Sequence, residues 1–248
     1  MKKLILAASI VAAFTGNAAH AEEAATPEHS LTYNVGLTSD YRYRGISQSR
    51  LGPAASLGID YANAPTGLYI GAWASTIRWI EDAGASKGSA EVDIYAGKSG
   101  ELATDITYDA GFLYYYYPQN KYAEIGANAN TTETYLQLGF GPAYVKYSHS
   151  LTNLFGNVDS KNSSYYDIGA DLDVAEGTQL NLHVGHQSIK NNATGDYTDW
   201  KIGVTRDFGI AAVSLAYIGT NADKGFYVTP SGKFTGKNAA VLSVTKSF

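Results

Sequence analysis

The sequence contains no cysteine, only 6 prolines in 248 residues, and no long apolar run. Without cysteine, the chain cannot form a disulfide framework, a thiolate metal site, a cysteine nucleophile or a lipid-modified N-terminal cysteine. A helix that spans a bilayer needs about 20 consecutive, mostly apolar residues, and no stretch of the sequence supplies them. Any residence in a membrane must therefore come from β-strands, whose backbone groups pair with one another.

The N-terminus has the features of a secretory signal peptide. Two lysines precede an apolar run over residues 4–14, and the small residues Ala19 and Ala21 follow. This order predicts a signal peptide over residues 1–21 that is cleaved after Ala21. The apolar run, about eleven residues long, is too short for a membrane anchor helix. The polar residues 22–30 are expected to form a periplasmic lead-in.

Positive charge is scarce. The sequence has 18 Lys and Arg residues against 23 Asp and Glu residues. Without the two lysines of the signal peptide, 16 basic residues remain against 23 acidic ones, a net charge of about −7. Nucleic-acid binding depends on Lys and Arg side chains that neutralise phosphates. The acidic balance therefore argues against a nucleic acid as a partner.

Tyrosine and glycine are abundant, with 20 and 26 residues, and apolar and polar side chains alternate along much of the chain. The clearest example is residues 31–44. Its odd positions are mostly apolar or aromatic, whereas its even positions include Asp40, Arg42 and Arg44. Successive side chains of a strand point to opposite faces, so this stretch predicts a strand with one face against lipid and one against polar groups.

Two tyrosines favour lipid as the apolar surrounding. Tyr33 and Tyr43 lie ten residues apart, roughly 33 Å along a strand. A tilt of about 40° projects this length to roughly 25 Å, the height of the apolar band of an outer-membrane barrel. Tyrosine is enriched at both edges of such a band. The spacing predicts that both rings face lipid.

Twelve segments show the alternation. They are residues 31–44, 55–62, 68–79, 90–97, 106–117, 132–140, 143–150, 164–174, 178–188, 197–206, 211–218 and 238–248. In the segment 68–79 both faces carry apolar residues, so the pattern does not assign its register. The predicted fold is all-β, a transmembrane antiparallel up-and-down β-barrel of about 12 strands over residues 31–248.

The connections between these segments alternate in length. Short ones are predicted at residues 63–67, 98–101, 141–142, 175–177 and 207–209, and long ones at 47–53, 80–89, 118–131, 151–163, 189–196 and 219–237. Outer-membrane barrels have short periplasmic turns and longer external loops. An exported soluble β-sandwich, the alternative fold, also alternates its strands but has no reason to sort its loops in this way.

The last residue gives a separate indication. The final predicted strand ends in Phe248 at the expected periplasmic edge. A strand with a terminal phenylalanine is similar to the signal that the outer-membrane assembly machinery reads. We therefore expect that machinery and the lipid of the bacterial outer membrane to be partners of the chain.

Five motifs spread over nearly the whole mature chain carry a family resemblance. They are DYRYRGISQS at residues 40–49, YIGAWAS at 69–75, EVDIYAG at 91–97, LYYYYP at 113–118 and YTDWKIGV at 197–204. They resemble the TorF-type porins, an outer-membrane family noted for a Gly-Cys-Trp tripeptide. Ala72 stands where the cysteine of that tripeptide would be. The resemblance implies a porin, but it supplies no catalytic or binding residues.

The predicted inward face carries many more acidic than basic residues. The acidic candidates are Asp40, Asp60, Glu91, Asp93, Asp105, Asp109, Glu133, Asp167, Asp171, Asp173 and Asp199, and the basic ones are Arg42, Arg44, Lys146 and Lys201. A low-dielectric wall focuses such a field and concentrates cations. These residues predict a lumen that favours cations or neutral solutes.

The sequence is compatible with two states of the lumen. Barrel interiors are packed at about eight strands and open at 16 to 18, and twelve lies between these values. Arg42 and Arg44 could form salt bridges with several of the carboxylates and so fill the barrel. A conducting lumen is the main interpretation, and a filled barrel is the alternative.

No catalytic or cofactor site is predicted. Ser148 and His149 are neighbours on a predicted strand, so they point to opposite faces and cannot easily pair as nucleophile and base. His183 is alone on the inward face, and no third ligand lies at metal spacing. The sequence predicts a non-enzymatic porin for small hydrophilic solutes, without metal or cofactor. The alternative is a non-conducting outer-membrane surface, adhesion or binding protein.

Overall fold

Twelve strands close into one antiparallel barrel. The structure, a computed structural model, describes residues 27–248. The barrel strands are β1 (His29–Thr38), β4 (Ala54–Asn63), β5 (Leu68–Thr76), β6 (Ala90–Ala103), β7 (Ile106–Tyr116), β8 (Thr131–Phe140), β9 (Ala143–Ser150), β10 (Ser164–Ala175), β11 (Thr178–Ser188), β12 (Tyr197–Asp207), β13 (Ala212–Thr220) and β14 (Ala239–Ser247). A separate hairpin consists of β2 (Arg42–Tyr43) and β3 (Ile46–Ser47).

The predicted all-β barrel of about 12 strands is therefore confirmed. Strand β1 begins at His29, two residues before the predicted start, so it includes the end of the predicted lead-in. The predicted signal peptide over residues 1–21 lies outside the described residues and stays a prediction.

The barrel closes because its first strand pairs with its last. Strand β1 pairs with β4 on one side and with β14 on the other, so that Val35 lies opposite Leu57 and Lys246. At the seam, Tyr33 and Phe248 exchange two backbone hydrogen bonds of 3.2 and 2.9 Å. Closure of this kind removes the unpaired edges of a sheet, which otherwise pair with other chains.

The two ends of the barrel differ in the length of their connections. At one end, here called the turn end, the strands are joined by residues 64–67, 104–105, 141–142, 176–177 and 208–211. At the other, here called the loop end, they are joined by residues 39–53, 77–89, 117–130, 151–163, 189–196 and 221–238. The predicted sorting of short and long connections is thus present in the structure.

One predicted turn is wrong. Strand pairing continues through residues 98–101, where Gly100 lies opposite Tyr108, and the turn comes later, between Ala103 and Ile106. Ser99 and Gly100, in the middle of the predicted turn, lie within paired strands. Asp105 occupies the true turn with a φ of 60° and is exposed, so it does not lie on the inward face as predicted.

Large apolar side chains cover the outside of the barrel, and charged ones lie inside. Leu37, Ile168 and Leu215 are 57% to 65% exposed, whereas Glu91 and Asp199 are 1% to 2% exposed. This is the alternation that the sequence predicts. In β5, whose register the sequence left open, Tyr69, Gly71 and Trp73 lie on the inward face, and Leu68, Ile70 and Ala72 lie on the outward face.

Helical structure occurs only in the connections of the described chain. One turn, α1 (Trp79–Asp82), follows β5, and two 3-10 turns cover Tyr122–Glu124 and Ala193–Gly195. Within residues 27–248, no helix has the length and apolarity that crossing a membrane requires.

The first predicted strand is too long. β1 ends at Thr38, and residues 39–53 fold into the barrel. Tyr33 faces outward as predicted, but Tyr43 lies inside the barrel and its hydroxyl bonds to that of Tyr115. The prediction that Tyr43 faces lipid is therefore wrong. The sequence misleads here because aromatic side chains also line the interior, so the alternation continues past the end of the strand.

Candidate functional site

The loop of residues 39–53, here called the inner loop, lies at the centre of the candidate site. Arg42 Nε donates a hydrogen bond to Asp40 over 2.8 Å, and the Ser47 hydroxyl donates to the same carboxylate over 2.5 Å. Arg42 also donates to the backbone oxygen of Lys237 over 2.7 Å, which joins the inner loop to the last long loop. Arg42 thus lies inside the barrel as predicted, but in the short hairpin of the inner loop rather than on a barrel strand.

The tip of the inner loop contacts the far wall of the barrel through Arg44. Its guanidinium donates two hydrogen bonds to Glu133, of 3.1 and 2.7 Å, and one to Gln187 of 2.7 Å. It also lies 4.2 Å from the centre of the Tyr165 ring, a cation–π contact. The side chains of Arg44 and Glu133 are only 7% and 3% exposed. A charge pair this deeply buried fixes the position of the loop, because neither partner can separate without leaving the other unpaired.

Aromatic side chains hold the other side of the inner loop. The Tyr41 ring lies 5.3 Å from that of Trp73, and the Tyr41 hydroxyl donates to Glu91 over 2.7 Å. Tyr43 packs edge-on against Tyr115, with ring centres 5.5 Å apart. The inner loop is therefore bonded to both sides of the barrel interior.

The inner loop lies between two cavities. The inner cavity, on the side of the turn end, has a volume of about 150 Å³. The outer bowl, at the loop end, has a volume of about 420 Å³. Tyr43 and Arg44 line both cavities, so the tip of the inner loop separates them.

Five carboxylates form an acidic wall on neighbouring strands. They are Asp60 on β4, Glu91 and Asp93 on β6, Asp109 on β7 and Glu133 on β8. All except Asp60 are 2% to 4% exposed. Tyrosine hydroxyls donate to four of them, from Tyr95 to Asp60, from Tyr41 to Glu91, from Tyr69 to Asp109 and from Tyr115 to Glu133. Within residues 27–248, Asp93 Oδ1 and Asp109 Oδ2 are buried and have no hydrogen-bond partner.

A second charged group lies on β10, β11 and β12. The two ring nitrogens of His183 lie 2.7 Å from Asp167 and 2.7 Å from Asp199. The Tyr165 hydroxyl donates to Asp199 over 2.9 Å, and Lys201 lies opposite His183 in the strand pair. The prediction that His183 is alone on the inward face is therefore wrong. The alternation predicts that all three side chains point inward. Only the register between the strands shows that they meet.

The wall formed by β13 and β14 carries no charge near the inner cavity. Strands β13 and β14 line it with the small or apolar side chains of Ser214, Ala216, Val241, Ser243 and Thr245. Because these side chains are short, they leave open the space beside the two charged groups.

Most of the predicted lumen residues lie inside the barrel. They are Asp40, Arg42, Arg44, Asp60, Glu91, Asp93, Asp109, Glu133, Lys146, Asp167, Asp171, Asp199 and Lys201. Lys146 Nζ lies 4.4 Å from the centre of the Tyr135 ring, and Asp171 accepts a hydrogen bond of 2.6 Å from Asn181. The influence of these residues on solute selection stays a prediction.

Two predicted lumen residues lie elsewhere. Asp105 is in an exposed turn, as described above. The alternation along β10 places Asp173 on the inward face, but the residue is exposed at the turn end. There it accepts a hydrogen bond of 2.9 Å from Gln179. Both carboxylates are in contact with solvent and lie away from the acidic wall.

Aromatic side chains dominate the outer bowl. They are Tyr43, Trp79, Tyr117, Tyr122, Phe155, Tyr197, Phe226 and Tyr227. On one side the ring of Trp79 lies 5.3 Å from that of Tyr122, and on the other the ring of Tyr197 lies 5.1 Å from that of Tyr227. Burial raises the pKa of both the Tyr122 and the Tyr227 phenol, so these rings are neutral at neutral pH.

A family model described as a bacterial protein of unknown function (Gcw_chp) matches residues 21–248. The chain belongs to the Gcw_chp family. No curated protein sequence matches this Gcw_chp protein. Since the family description names no porin, the more specific resemblance to the TorF-type porins stays a prediction.

Among solved structures, the Gcw_chp chain is similar to two porins. A KdgM porin in complex with disordered oligogalacturonate is 8% identical with a TM-score of 0.54, over 88% of this chain and 98% of that one. A NanC porin is 11% identical with a TM-score of 0.54, over 88% of this chain and 99% of that one. At these identities the likeness shows the fold alone.

The tripeptide Gly71-Ala72-Trp73 of the Gcw_chp chain has a structural role in the site. Gly71 lies against the ring of Tyr95, where a Cβ would collide, and Trp73 packs on Tyr41 of the inner loop. Ala72 points outward. The glycine and the tryptophan therefore shape the interior, whereas the residue between them does not reach it.

Proposed function

We propose that this Gcw_chp protein is an outer-membrane channel through which small hydrophilic solutes diffuse. One observation carries the proposal: a closed barrel whose exterior is apolar encloses a cavity lined by charged side chains. A continuous exposed apolar surface is unfavourable in water and is expected for a barrel in lipid. The porin fold shared with KdgM and NanC supports the same conclusion.

The orientation in the membrane follows from the connections. Most barrel strands have 9 to 14 residues, and a strand of about 9 to 11 residues crosses a bilayer when tilted. We assign the turn end to the periplasm and the loop end to the outside, as in other outer-membrane barrels. Phe248 then lies on the periplasmic side, where the assembly machinery would recognise it.

The charge of the lumen favours cations and neutral solutes over anions. Within residues 27–248, nine carboxylates lie inside the barrel, five of them on the acidic wall. The basic residues inside are Arg42, Arg44, Lys146 and Lys201, and His183 lies between Asp167 and Asp199. Carboxylates enclosed by a low-dielectric wall attract cations and repel anions. The oligogalacturonate named with KdgM is an anion, and we do not expect this chain to share that solute.

The inner loop sets the size of the channel. It lies between the two cavities, and its tip lines both of them. We expect solutes to pass the tip beside the short side chains of β13 and β14, and we expect only small solutes to pass.

Single-channel recording in planar bilayers tests the proposal. Full mature protein in a KCl gradient should give discrete current steps and a reversal potential that indicates a preference for K⁺. Asp60→Asn, which removes a half-buried lumen charge, should weaken the preference. Asp105→Asn, which removes the same charge from an exposed turn, should leave it unchanged. Absence of current steps from folded protein would reject the channel, and preference for Cl⁻ would reject the charge argument.

A second candidate function is a non-conducting binding protein of the outer membrane. The inner loop favours it, because Tyr43 and Arg44 close the interior between the two cavities. In that case the outer bowl and the adjoining loop of residues 221–238 would bind a partner or ligand. Folded protein that gives no current, and whose ligand binding is lost when residues 221–238 are shortened, would support this alternative.

A further inference from the structure

Asp93 is a buried carboxylate without a full set of partners. Its side chain is 4% exposed and lines the inner cavity. Oδ1 is buried, and no hydrogen-bond donor among residues 27–248 reaches it. Buried polar groups in proteins are almost always hydrogen-bonded, and buried charges are almost always paired. Asp93 therefore occupies a position where a cationic partner would be stabilising.

The neighbours of Asp93 increase the need for positive charge. The carboxylates of Glu91 and Glu133 act on Asp93 electrostatically. Arg44 pairs with Glu133, whereas the groups that bond to Glu91 are the neutral hydroxyls of Tyr41 and Tyr117. One arginine thus balances one of three adjacent carboxylates, which leaves Glu91 and Asp93 for a further cation.

The cations of the barrel itself show what kind of group its interior binds. The Arg44 guanidinium lies 4.2 Å from the centre of the Tyr165 ring while it bonds to Glu133. Lys146 Nζ lies 4.4 Å from the centre of the Tyr135 ring. An aromatic face beside a carboxylate binds organic cations well, because the ring and the carboxylate both attract positive charge.

The surroundings of Asp93 repeat this combination. Asp93 lies opposite Tyr115 in the strand pair of β6 and β7. Tyr115, Leu113 and Tyr43 line the inner cavity together with Asp93. The hydroxyls of Tyr43 and Tyr115 bond to each other, so these side chains do not offer the six or more oxygen ligands that a hard metal ion needs. They provide instead a surface for the carbon atoms of an organic ligand.

We propose that the inner cavity binds the ammonium group of a small organic cation, with Asp93 as its partner. Glu91 does not line the cavity, but its carboxylate acts on Asp93 and adds to the attraction for positive charge. The alkyl part of the ligand lies against Leu113 and the tyrosine rings. A cavity of about 150 Å³ is large enough for a benzene-sized molecule. The inference rests on the proposed channel and names organic ammonium compounds as the class of solute that it passes.

Calorimetric titration of the folded, detergent-solubilised mature chain with n-butylammonium chloride at low salt tests the site. Butylammonium should bind in a saturable manner. The neutral n-butanol and the anionic butyrate are matched controls of similar size and should not bind. Asp93→Asn, which keeps the shape and removes the charge, should weaken binding at least about tenfold, since a charge-assisted hydrogen bond is lost. Asp105→Asn, the same change in an exposed turn, should bind like the wild type.

The outcomes separate this proposal from the channel itself. No binding by the wild type, or equal binding by the wild type and Asp93→Asn, would overturn the site. Neither result bears on KCl conductance, which is measured on the same preparation and tests the channel alone. Heat-dependent mobility on a denaturing gel verifies that each variant is folded. If Asp93→Asn does not fold, Glu91→Gln is the second variant; it should also weaken binding, and unchanged binding would count against the site.

Discussion

At the scale of single residues, the interior is organised by charges that meet partners from distant parts of the chain. Arg44 bonds to Glu133 and Gln187, which are 89 and 143 positions away. His183 lies between Asp167 and Asp199 on the two neighbouring strands. Such pairs stabilise the fold only when complete, because a lone buried charge costs much more than the pair contributes.

The alternation of side chains along a strand predicts which of these residues point inward, but it does not predict how they pair. It places Asp167, His183 and Asp199 on the inward face. Their contact depends on the register between β10, β11 and β12, which is set by the whole barrel. The sequence therefore predicts the composition of the lumen well and its hydrogen bonds poorly.

The Arg44 contact gives a prediction about stability. Arg44→Ala leaves Glu133 buried and unpaired, so we expect the free energy of unfolding to fall by about 3 to 5 kcal/mol. Denaturant titration of the barrel in lipid vesicles measures this change. Arg44→Ala combined with Glu133→Gln should recover much of the loss, since no lone charge remains.

Arg50→Ala is the matched control for Arg44. Arg50 belongs to the same inner loop, but its ion pair with Asp82 leaves the arginine side chain 40% exposed. Exposed ion pairs contribute little to stability. If the two alanine variants lose equal stability, burial of the Arg44 pair is not what holds the loop.

At the scale of elements, the inner loop is the part that the sequence describes least well. Its residues continue the alternation of β1, because the interior that the loop enters is itself aromatic and charged. The inner loop differs from a strand in its backbone, since Arg44 and Gly45 have positive φ angles of 46° and 77°. An Arg-Gly pair indicates a turn only weakly, and nothing in the local sequence shows that the turn lies inside a barrel.

Gly45 provides a test of the position of the inner loop. A Cβ at this residue would lie 2.6 Å from Asp199 Cβ and 2.6 Å from Thr220 Cγ2, and the φ of 77° is itself unfavourable for alanine. Gly45→Ala should therefore displace the tip and lower stability by about 1 to 2 kcal/mol or more. Single-channel conductance should rise, because the displaced tip no longer separates the two cavities.

Gly52→Ala is the control within the same loop. Its Cβ would have an ordinary contact of 3.5 Å with Ser49 O, without a positive φ. Conductance and unfolding should match the wild type. Equal conductance of Gly45→Ala and Gly52→Ala would show that the tip does not limit the current.

At the scale of the whole molecule, the sequence predicts the architecture closely. The alternation of apolar and polar side chains predicted twelve strands, the sorting of loop lengths predicted two unlike ends, and both are present. The alternation also predicted the apolar exterior, for example at Ile168 and Leu215. The alternation did not predict that the lumen is divided into two cavities, because this division depends on the inner loop, which folds into the barrel.

The apolar exterior gives a prediction that separates a barrel in lipid from one in water. Ile202 is the central residue of the 11-residue strand β12, points outward and is 49% exposed. In lipid, Ile202→Arg places a charge near the middle of the bilayer and should lower the free energy of unfolding by about 2 to 4 kcal/mol.

Ile210→Arg is the control, since Ile210 is 76% exposed in a turn at the barrel end, where the cost should be about 0 to 1 kcal/mol. Denaturant unfolding in lipid vesicles, followed by tryptophan fluorescence, measures both. Equal, small costs at the two positions would mean that water surrounds β12, and the membrane assignment would then be wrong.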